Sequence, residues 1–410
     1  MKIGYFMQAG VPDIRQKPLS GPAIHVKHVF DELINLGHQL RLLAVIKGRI
    51  WKSDDLESFE PVTVKRIDKG LFRQFEKVIR RIQFELKLPY AALFESVRFA
   101  QACRQELAGY DLFYERMGWM GYGGAIASRW LGIPLILEVN GDHLSEMEML
   151  GNAPQGMQRW LSTMITQVAV RQAAGVVATG EGWRNKFIER WDIEPAKVTV
   201  VDNGSALVDL LQREQLRSFL QTGGRNEAVN VVYVGAFEPW HGIPILLKAV
   251  AKVIAQDMLL QVVLIGSGSE LDRIKKLIGD LKLEEIVTLT GQLGAQQYAL
   301  YLAEADIGVS PYCGRYEYSG LKLLDYMAAG LATIASGENG QPAVLEHGRT
   351  GWIVPPCDEN TLCEAIVYLT KNPNLRRKIG QAARIEAEQC HSWRSSAEQL
   401  SELFGEVLNS

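Results

Sequence analysis

The sequence predicts an α/β protein of two doubly wound domains, each a parallel sheet with helices on both faces. Short, nearly unbroken apolar strands alternate with segments of helical period, the pattern of parallel sheets buried on both sides. These strands form two series, separated by a polar stretch. The chain's 410 residues exceed one ordinary domain of about 150, and an apolar share of 47% suffices for a core in each half.

The first series comprises Lys2–Met7, Leu40–Ile46, Val62–Ile67, Asp111–Glu115, Pro134–Asn140, Gly175–Thr179 and Val198–Val201. The second comprises Asn230–Val234, Gln261–Ile265, Ile286–Thr290, Ile307–Ser310, Ala332–Ala335 and Trp352–Val354. The first ends at Asn203-Gly204-Ser205, and Gln221-Thr222-Gly223-Gly224-Arg225-Asn226 has strong loop composition, so the hinge is expected between Asn203 and Asn230. The expected domains are residues 1–205 and 206–390, followed by a terminal helical segment over 391–410. Ligands of open parallel sheets bind beyond the carboxyl ends of the strands, so the two domains predict one cleft between them.

Composition narrows the function. Lys+Arg 44 against Asp+Glu 47 gives a net charge of −3, which argues against a general electrostatic grip on nucleic acid. The five cysteines, Cys103, Cys313, Cys357, Cys363 and Cys390, form no Cys-x-x-Cys pair. A zinc site or disulfide framework is therefore not expected, and a reducing cytoplasm is the natural compartment. No secretory signal or membrane-spanning run is read from the sequence. Glycine makes up about 9% of the chain against a usual ~7%, so many backbone segments must turn tightly or approach something closely.

The richest segment follows the strand ending at Pro311. A loop runs to Ser319-Gly320, and a helix then begins that continues through Ala329. Free N–H groups and the positive end of the helix dipole fall at Ser319, Gly320, Leu321 and Lys322, where an anion such as a diphosphate is favoured. Lys322 either adds a positive charge to that anion site or extends into solvent. Glu317 and Asp325 stand eight positions apart across this junction, followed by Met327-Ala328-Ala329-Gly330.

That arrangement resembles the signature of glycosyltransferase family 4, retaining enzymes that use nucleotide sugars and have the two-domain GT-B fold. The family signature is two glutamates separated by seven residues, followed by a Met-Ala-x-Gly helix end. Weaker marks occur in the family's order: Ser20-Gly21-Pro22 leading to Leu36-Gly37-His38, Asn203-Gly204, Val234 to Gly242, Leu264 to Gly268, Thr290 to Leu293, and Gly348-Arg349-Thr350-Gly351. By that resemblance Glu317 lies against the donor sugar and Asp325 holds the ribose hydroxyls. The amides of Gly320, Leu321 and Lys322 take the diphosphate, with Gly21 and the Gly235 loop approaching it, and Gly291 to Leu293 border the base. Catalysis is then electrostatic stabilisation of the leaving nucleoside diphosphate, without metal or further cofactor. The terminal helix would cross back to the first domain, with Trp393 marking the crossing.

Departures from the family are specific. Ala236 and His241 stand where relatives carry Arg and Lys, and Asp325 is one methylene shorter than Glu. Asn140 replaces a first-domain histidine that approaches the donor sugar, with His143 three residues on as its substitute. Lys322 and His241 are the local candidates to bind the diphosphate in place of the missing pair, although His241 also suits an ordinary turn beside Trp240.

Two further segments remain. Gly118 to Gly124 lacks the spacing of a dinucleotide loop, leaving a helix-packing turn or a loop shaping the acceptor side. Between Leu71 and Tyr90, Phe72, Phe75, Ile79, Ile82 and Leu86 share a helical face, and Arg73, Lys77, Arg80, Arg81 and Lys87 fall largely off it, five basic residues that with the acids Glu76 and Glu85 give a net +3. Either this helix packs on the core with a solvated back, or it lies on an anionic membrane. The expected activity is sugar transfer from a nucleoside diphosphate sugar to a glycan, lipid-linked or small-molecule acceptor. The alternatives are a sugar-nucleotide-binding scaffold and a GT-B epimerase.

Overall fold

The computed structural model describes the chain apart from residues 11, 17–18, 65–66, 68–70, 87, 142–143, 145–146, 149–150, 211–227, 314–319, 339 and 341. It divides into two compact units, Met1–Val201 with Ala397–Ser410, and Asp202–Ser396.

In the first unit the order is β1 (Lys2–Met7), α1 (Gly21–Asn35), β2 (Gln39–Ile46), β3 (Arg49–Ser53), β4 (Glu60–Pro61), α2 (Leu71–Glu85) and α3 (Leu93–Glu106). There follow β5 (Leu112–Arg116), α4 (Gly123–Leu131), β6 (Leu135–Val139), α5 (Gly156–Gln172), β7 (Gly175–Ala178), α6 (Glu181–Trp191) and β8 (Val198–Val200). The sheet runs β4-β3-β2-β1-β5-β6-β7-β8. Its central strands read as apolar because both faces are covered: Ile3, Tyr5, Phe6 and Met7 of β1 have no exposed surface. Phe404, near the chain end, packs on Tyr114 with ring centroids 5.3 Å apart.

One edge departs from the all-parallel expectation. β2, β3 and β4 pair antiparallel, because Lys47 and Gly48 both take positive φ (50° and 73°) in a two-residue turn that folds β3 back on β2. In place of the strand expected over Val62–Ile67, of which residues 65–66 lie outside the described residues, the pairing falls at Glu60–Pro61, and Val62 N–H donates to the Ile50 carbonyl at 2.9 Å.

The second unit contains α7 (Leu207–Leu210), β9 (Val229–Val234), α8 (Ile243–Ile254), β10 (Leu260–Ile265), α9 (Leu271–Asp280), β11 (Val287–Gly291) and α10 (Ala295–Glu304). These are followed by β12 (Ile307–Ser310), α11 (Leu321–Ala328), β13 (Ala332–Ser336), β14 (Trp352–Val354), α12 (Glu359–Lys371) and α13 (Pro373–Cys390). A last helix, α14 (Trp393–Asn409), begins here, and its residues from Ala397 group with the first unit. The sheet, β11-β10-β9-β12-β13-β14, is wholly parallel. Leu246, Val250 and Ile366 fill one face, and Leu302, Leu324, Met327 and Ala383 fill the other.

Contrary to the expectation from cysteine spacing, Cys313 and Cys357 form a disulfide across 44 residues. Sequence distance hides the reason: β12 and β14 both flank β13, so the segments leaving their carboxyl ends are two strands apart. No helix among the described residues is long and apolar enough to cross a membrane.

Gly308 of β12 has no room for a side chain, since a Cβ there would lie 2.5 Å from the Tyr326 ring. The Tyr326 hydroxyl accepts from Val234 N–H at 2.8 Å and donates to the Val309 carbonyl at 3.4 Å, tying α11 to β9 and β12. Gly308→Ala is expected to cost about 1–3 kcal/mol by overpacking, measured by urea unfolding, whereas an unchanged midpoint would contradict this packing.

Candidate functional site

At the carboxyl ends of β9, β10 and β12 the loops approach more closely than side chains allow. A Cβ on Gly266 would lie 1.9 Å from the Gly235 carbonyl oxygen, one on Gly268 2.5 Å from the Phe237 backbone, and one on Gly242 1.7 Å from the Pro311 oxygen. Part of the glycine surplus thus serves loop-to-loop packing. At Gly21, Gly291 and Gly294 the added atom would instead meet nothing within 4 Å, and at Gly320 only Val344 at 3.9 Å. Of the glycines expected to bind donor, Gly21, Gly291 and Gly320 therefore present open backbone, whereas Gly235 belongs to the interlocked set.

Gly320 takes left-handed φ 58° and caps α11 without a side-chain hydrogen bond. No acidic residue occupies the first turn, so the helix start keeps its partial positive charge for an external anion. Leu321 and Lys322 form that turn. The Lys322 ammonium lies 5.0 Å from the Tyr233 ring centroid and 5.7 Å from that of Tyr312, which holds it towards the Gly235 loop rather than out in solvent.

His241 joins this group, its ring 5.3 Å from that of Tyr312 and its Nδ1 on the Ala236 carbonyl. Burial and the nearby Lys322 push its pKa down to about 3. The structure thus brings together the two residues expected to bind a diphosphate, but gives the charge to Lys322. A neutral imidazole donating through Nδ1 keeps only a lone pair at Nε2.

Asp325, expected to hold ribose, accepts from the Ser205 hydroxyl at 2.5 Å and the Tyr298 hydroxyl at 2.6 Å. Burial raises its pKa to about 6, against those two hydrogen bonds. Each carboxylate oxygen still has a second lone pair for a further donor. Leu293 packs against the cluster around α11, close in the fold to Tyr298. Glu317 and Ser319 lie outside the described residues, as does His143.

In the first unit, Gly21 opens α1, and one turn on, His25 reaches Glu138 with Nε2 2.8 Å from Oε1. The fully buried Glu138 also receives the Tyr114 hydroxyl, Arg116 at 3.5 Å, and the Asn140 amide. Burial would raise this carboxyl, but His25, Arg116 and Tyr114 outweigh it and bring the pKa down to about 2. Asn140 is therefore held by a buried anion through its amide group. This network was missed in the sequence, although an acid inside Leu135-Ile136-Leu137-Glu138-Val139 is a readable sign of a buried, partnered charge. No cluster of three or more His, Cys, Asp or Glu suited to a metal occurs among the described residues.

Family models match both units in sequence. A glycosyl transferase 4-like domain covers residues 20–204, and glycosyl transferases group 1 covers residues 218–386. The D-inositol 3-phosphate glycosyltransferase of Nocardioides sp. is 24% identical over 371 residues, spanning 85% of this chain and 77% of that protein. Among solved structures, sucrose-phosphate synthase from Thermosynechococcus elongatus aligns over 100% of this chain and 99% of its own at TM-score 0.73 and 20% identity. Anabaena HepE, solved with UDP and glucose, aligns over 99% of both chains at TM-score 0.68 and 19% identity.

Lys322→Ala is expected to weaken nucleoside diphosphate binding by about 10–100-fold, the size of a charge-assisted contact. His241→Ala should change it by less than about threefold, since a group with its pKa near 3 carries no charge from pH 8 down to 5. Titration calorimetry of both variants across that range checks this, and a step in wild-type affinity near pH 6 that His241→Ala removes would contradict it.

Proposed function

We propose that this chain, which belongs to glycosyltransferase family 4 and has the GT-B fold, transfers a sugar from a nucleoside diphosphate donor with retention of anomeric configuration. The observation carrying this reading is the start of α11: a helix N-terminus at Gly320 with no acidic residue in its first turn, beside an ammonium 5.0 Å from the Tyr233 ring centroid and 5.7 Å from that of Tyr312. A diphosphate bound there gains charge stabilisation as the glycosidic bond breaks, when negative charge grows on the leaving oxygen. Because Anabaena HepE was crystallised with UDP, uridine diphosphate is the first donor nucleotide to try.

Each residue then has a part. Leu321 and Lys322 bind and neutralise the leaving group, Gly291 and Leu293 border the base, and Asp325 accepts from ribose through lone pairs left by Ser205 and Tyr298. On the family resemblance, Asn140, which Glu138 fixes, is assigned to the donor sugar, with His143 as its substitute, and Gly21 is assigned to the phosphates. Glu317 supports the positive charge that develops on the sugar ring. With lysine and amides supplying the charge, the reaction proceeds without a divalent metal, and excess chelator leaves the rate unchanged.

The acceptor is a glycan, a lipid-linked sugar or a small molecule, met on the cytoplasmic side of a membrane. Helix α2 supports this location. Phe72 packs on Phe94 with centroids 5.8 Å apart, and Arg80 and Arg98 bind Glu76 beneath the helix. Phe75, Val78, Ile82 and Phe84 remain exposed, the last at 83%, with Lys77 and Arg81 exposed between them. The α5 residues Met157, Trp160, Met164 and Val168 are also exposed. Tyr90 and Gln158 exchange hydrogen bonds at 2.5 and 2.9 Å, joining the two surfaces. Apolar residues interleaved with cations suit an anionic lipid interface.

Glu317→Gln is expected to lower kcat by at least about 100-fold while donor affinity stays within about threefold, as for a group acting mainly in the transition state. Product analysis by NMR should show the donor's anomeric configuration. Donor binding without turnover in any acceptor panel, or an inverted product, would overturn the proposal. Vesicles containing anionic lipid should sediment the protein at low salt, and Phe84→Ser with Trp160→Ser should release it. Equal binding to neutral vesicles would contradict the role of the cations.

A further inference from the structure

Beyond β12, three consecutive residues each touch a loop of the candidate nucleotide site. The Pro311 carbonyl lies against Gly242, where a Cβ would come within 1.7 Å of its oxygen. The Tyr312 ring stands 5.3 Å from that of His241, and the Lys322 ammonium lies 5.7 Å from its centroid. Cys313 N–H donates to the Trp240 carbonyl at 2.8 Å. On its other side Cys313 is bonded to Cys357, in the turn between β14 and α12.

That turn is a firm anchor. Asp358, next to Cys357, caps α12 by accepting from the N–H groups of Asn360 and Thr361 at 2.9 and 3.0 Å. Lys252 of α8 reaches Glu359 in the first turn of α12 at 2.7 Å, and α8 starts at Ile243, directly after Gly242. The bond therefore ties Tyr312 and the Gly242 loop to a fixed point. Cys357 itself takes φ 59°, a left-handed conformation that a residue with a side chain adopts at a cost. It is exposed and Cys313 is half-buried, so a thiol in solution can reach the bond. Strained or exposed disulfides are the labile, regulatory ones. The second unit buries a large apolar core of its own, so a single bond is not needed as its framework.

We infer that Cys313–Cys357 is a thiol switch on the nucleotide site: the bond holds Tyr312 and the Gly242 loop in place for a diphosphate, and its reduction by a dithiol releases them. A thiolate of the dithiol attacks the exposed Cys357 sulfur, and Cys313 leaves as a thiolate that takes a proton. The second thiolate of the reductant then displaces Cys357, which is protonated in turn. One S–S bond breaks in the protein and one forms in the reductant, so two electrons and two protons pass to the cysteines. A low-molecular-weight disulfide such as glutathione disulfide reverses the exchange. The effect on the nucleotide rests on the transferase reading, whereas the thiol exchange does not.

The experiment equilibrates the full chain with dithiothreitol or with glutathione disulfide and titrates UDP into each by calorimetry. Peptide mass spectrometry should find Cys313 joined to Cys357 after oxidation and both free after reduction. UDP should bind the reduced form at least about fivefold more weakly, and reoxidation should restore its affinity. Cys313→Ser and Cys357→Ser should bind UDP at the reduced level in both buffers. Cys390→Ser, which removes the exposed free thiol, should respond as the native chain does. Hydrogen exchange at the Cys313 amide reads the tether without nucleotide and should quicken on reduction. No Cys313–Cys357 bond after oxidation, equal UDP affinity in two forms that both bind it, or unchanged exchange at Cys313 would overturn the inference. UDP binding to neither form, with exchange still quickened by reduction, leaves the thiol-controlled loop and counts against the transferase.

Discussion

The proposed donor site depends on backbone touching backbone where β9, β10 and β12 end. Gly266 lies against the Gly235 carbonyl, Gly268 against Phe237, and Gly242 against the Pro311 carbonyl, each closer than a Cβ permits. This contact fixes the Gly235 loop beside the start of α11, so that Lys322 can lie over Tyr233 and Tyr312. A side chain at any of these glycines would push apart the loops that pack beside the start of α11. The tightest sterics and the chemistry therefore occupy the same few residues.

Around that frame, burial and partners set three carboxyls to different states. Glu138, within reach of His25 and Arg116, is brought down to about 2 and remains an anion inside the first unit. Glu115, buried without such partners, rises to about 8, and Asp325, with two hydroxyl donors but no cation, rises to about 6. The contrast follows from neighbours rather than depth, since desolvation pushes all three upward.

The central strands were legible in the sequence because burial on both faces makes each one an uninterrupted apolar run. β1, β12 and β14 have the bounds their residues suggest. The β2–β3 hairpin was not read, because its signal is the two-residue turn at Lys47-Gly48 between strands of mixed burial. The Cys313–Cys357 bond was hidden because strand order, not sequence spacing, brings the two together. In the donor region Lys322 and His241 were identified as a pair from the residues missing around them. The loss of charge at His241 was not, since it comes from burial and from Lys322 itself. Trp183, Phe187 and Trp191 recur at every fourth residue of α6, a readable helical stripe, whereas only the fold brings Trp119 and Leu144 beside it.

The central claim is that a nucleoside diphosphate sits on the start of α11. A crystal structure of the protein with uridine diphosphate tests it most directly. The account predicts phosphate oxygens within about 3 Å of the Leu321 and Lys322 amides and of the Lys322 ammonium. A diphosphate bound elsewhere in the protein, with these groups still facing solvent, would contradict it.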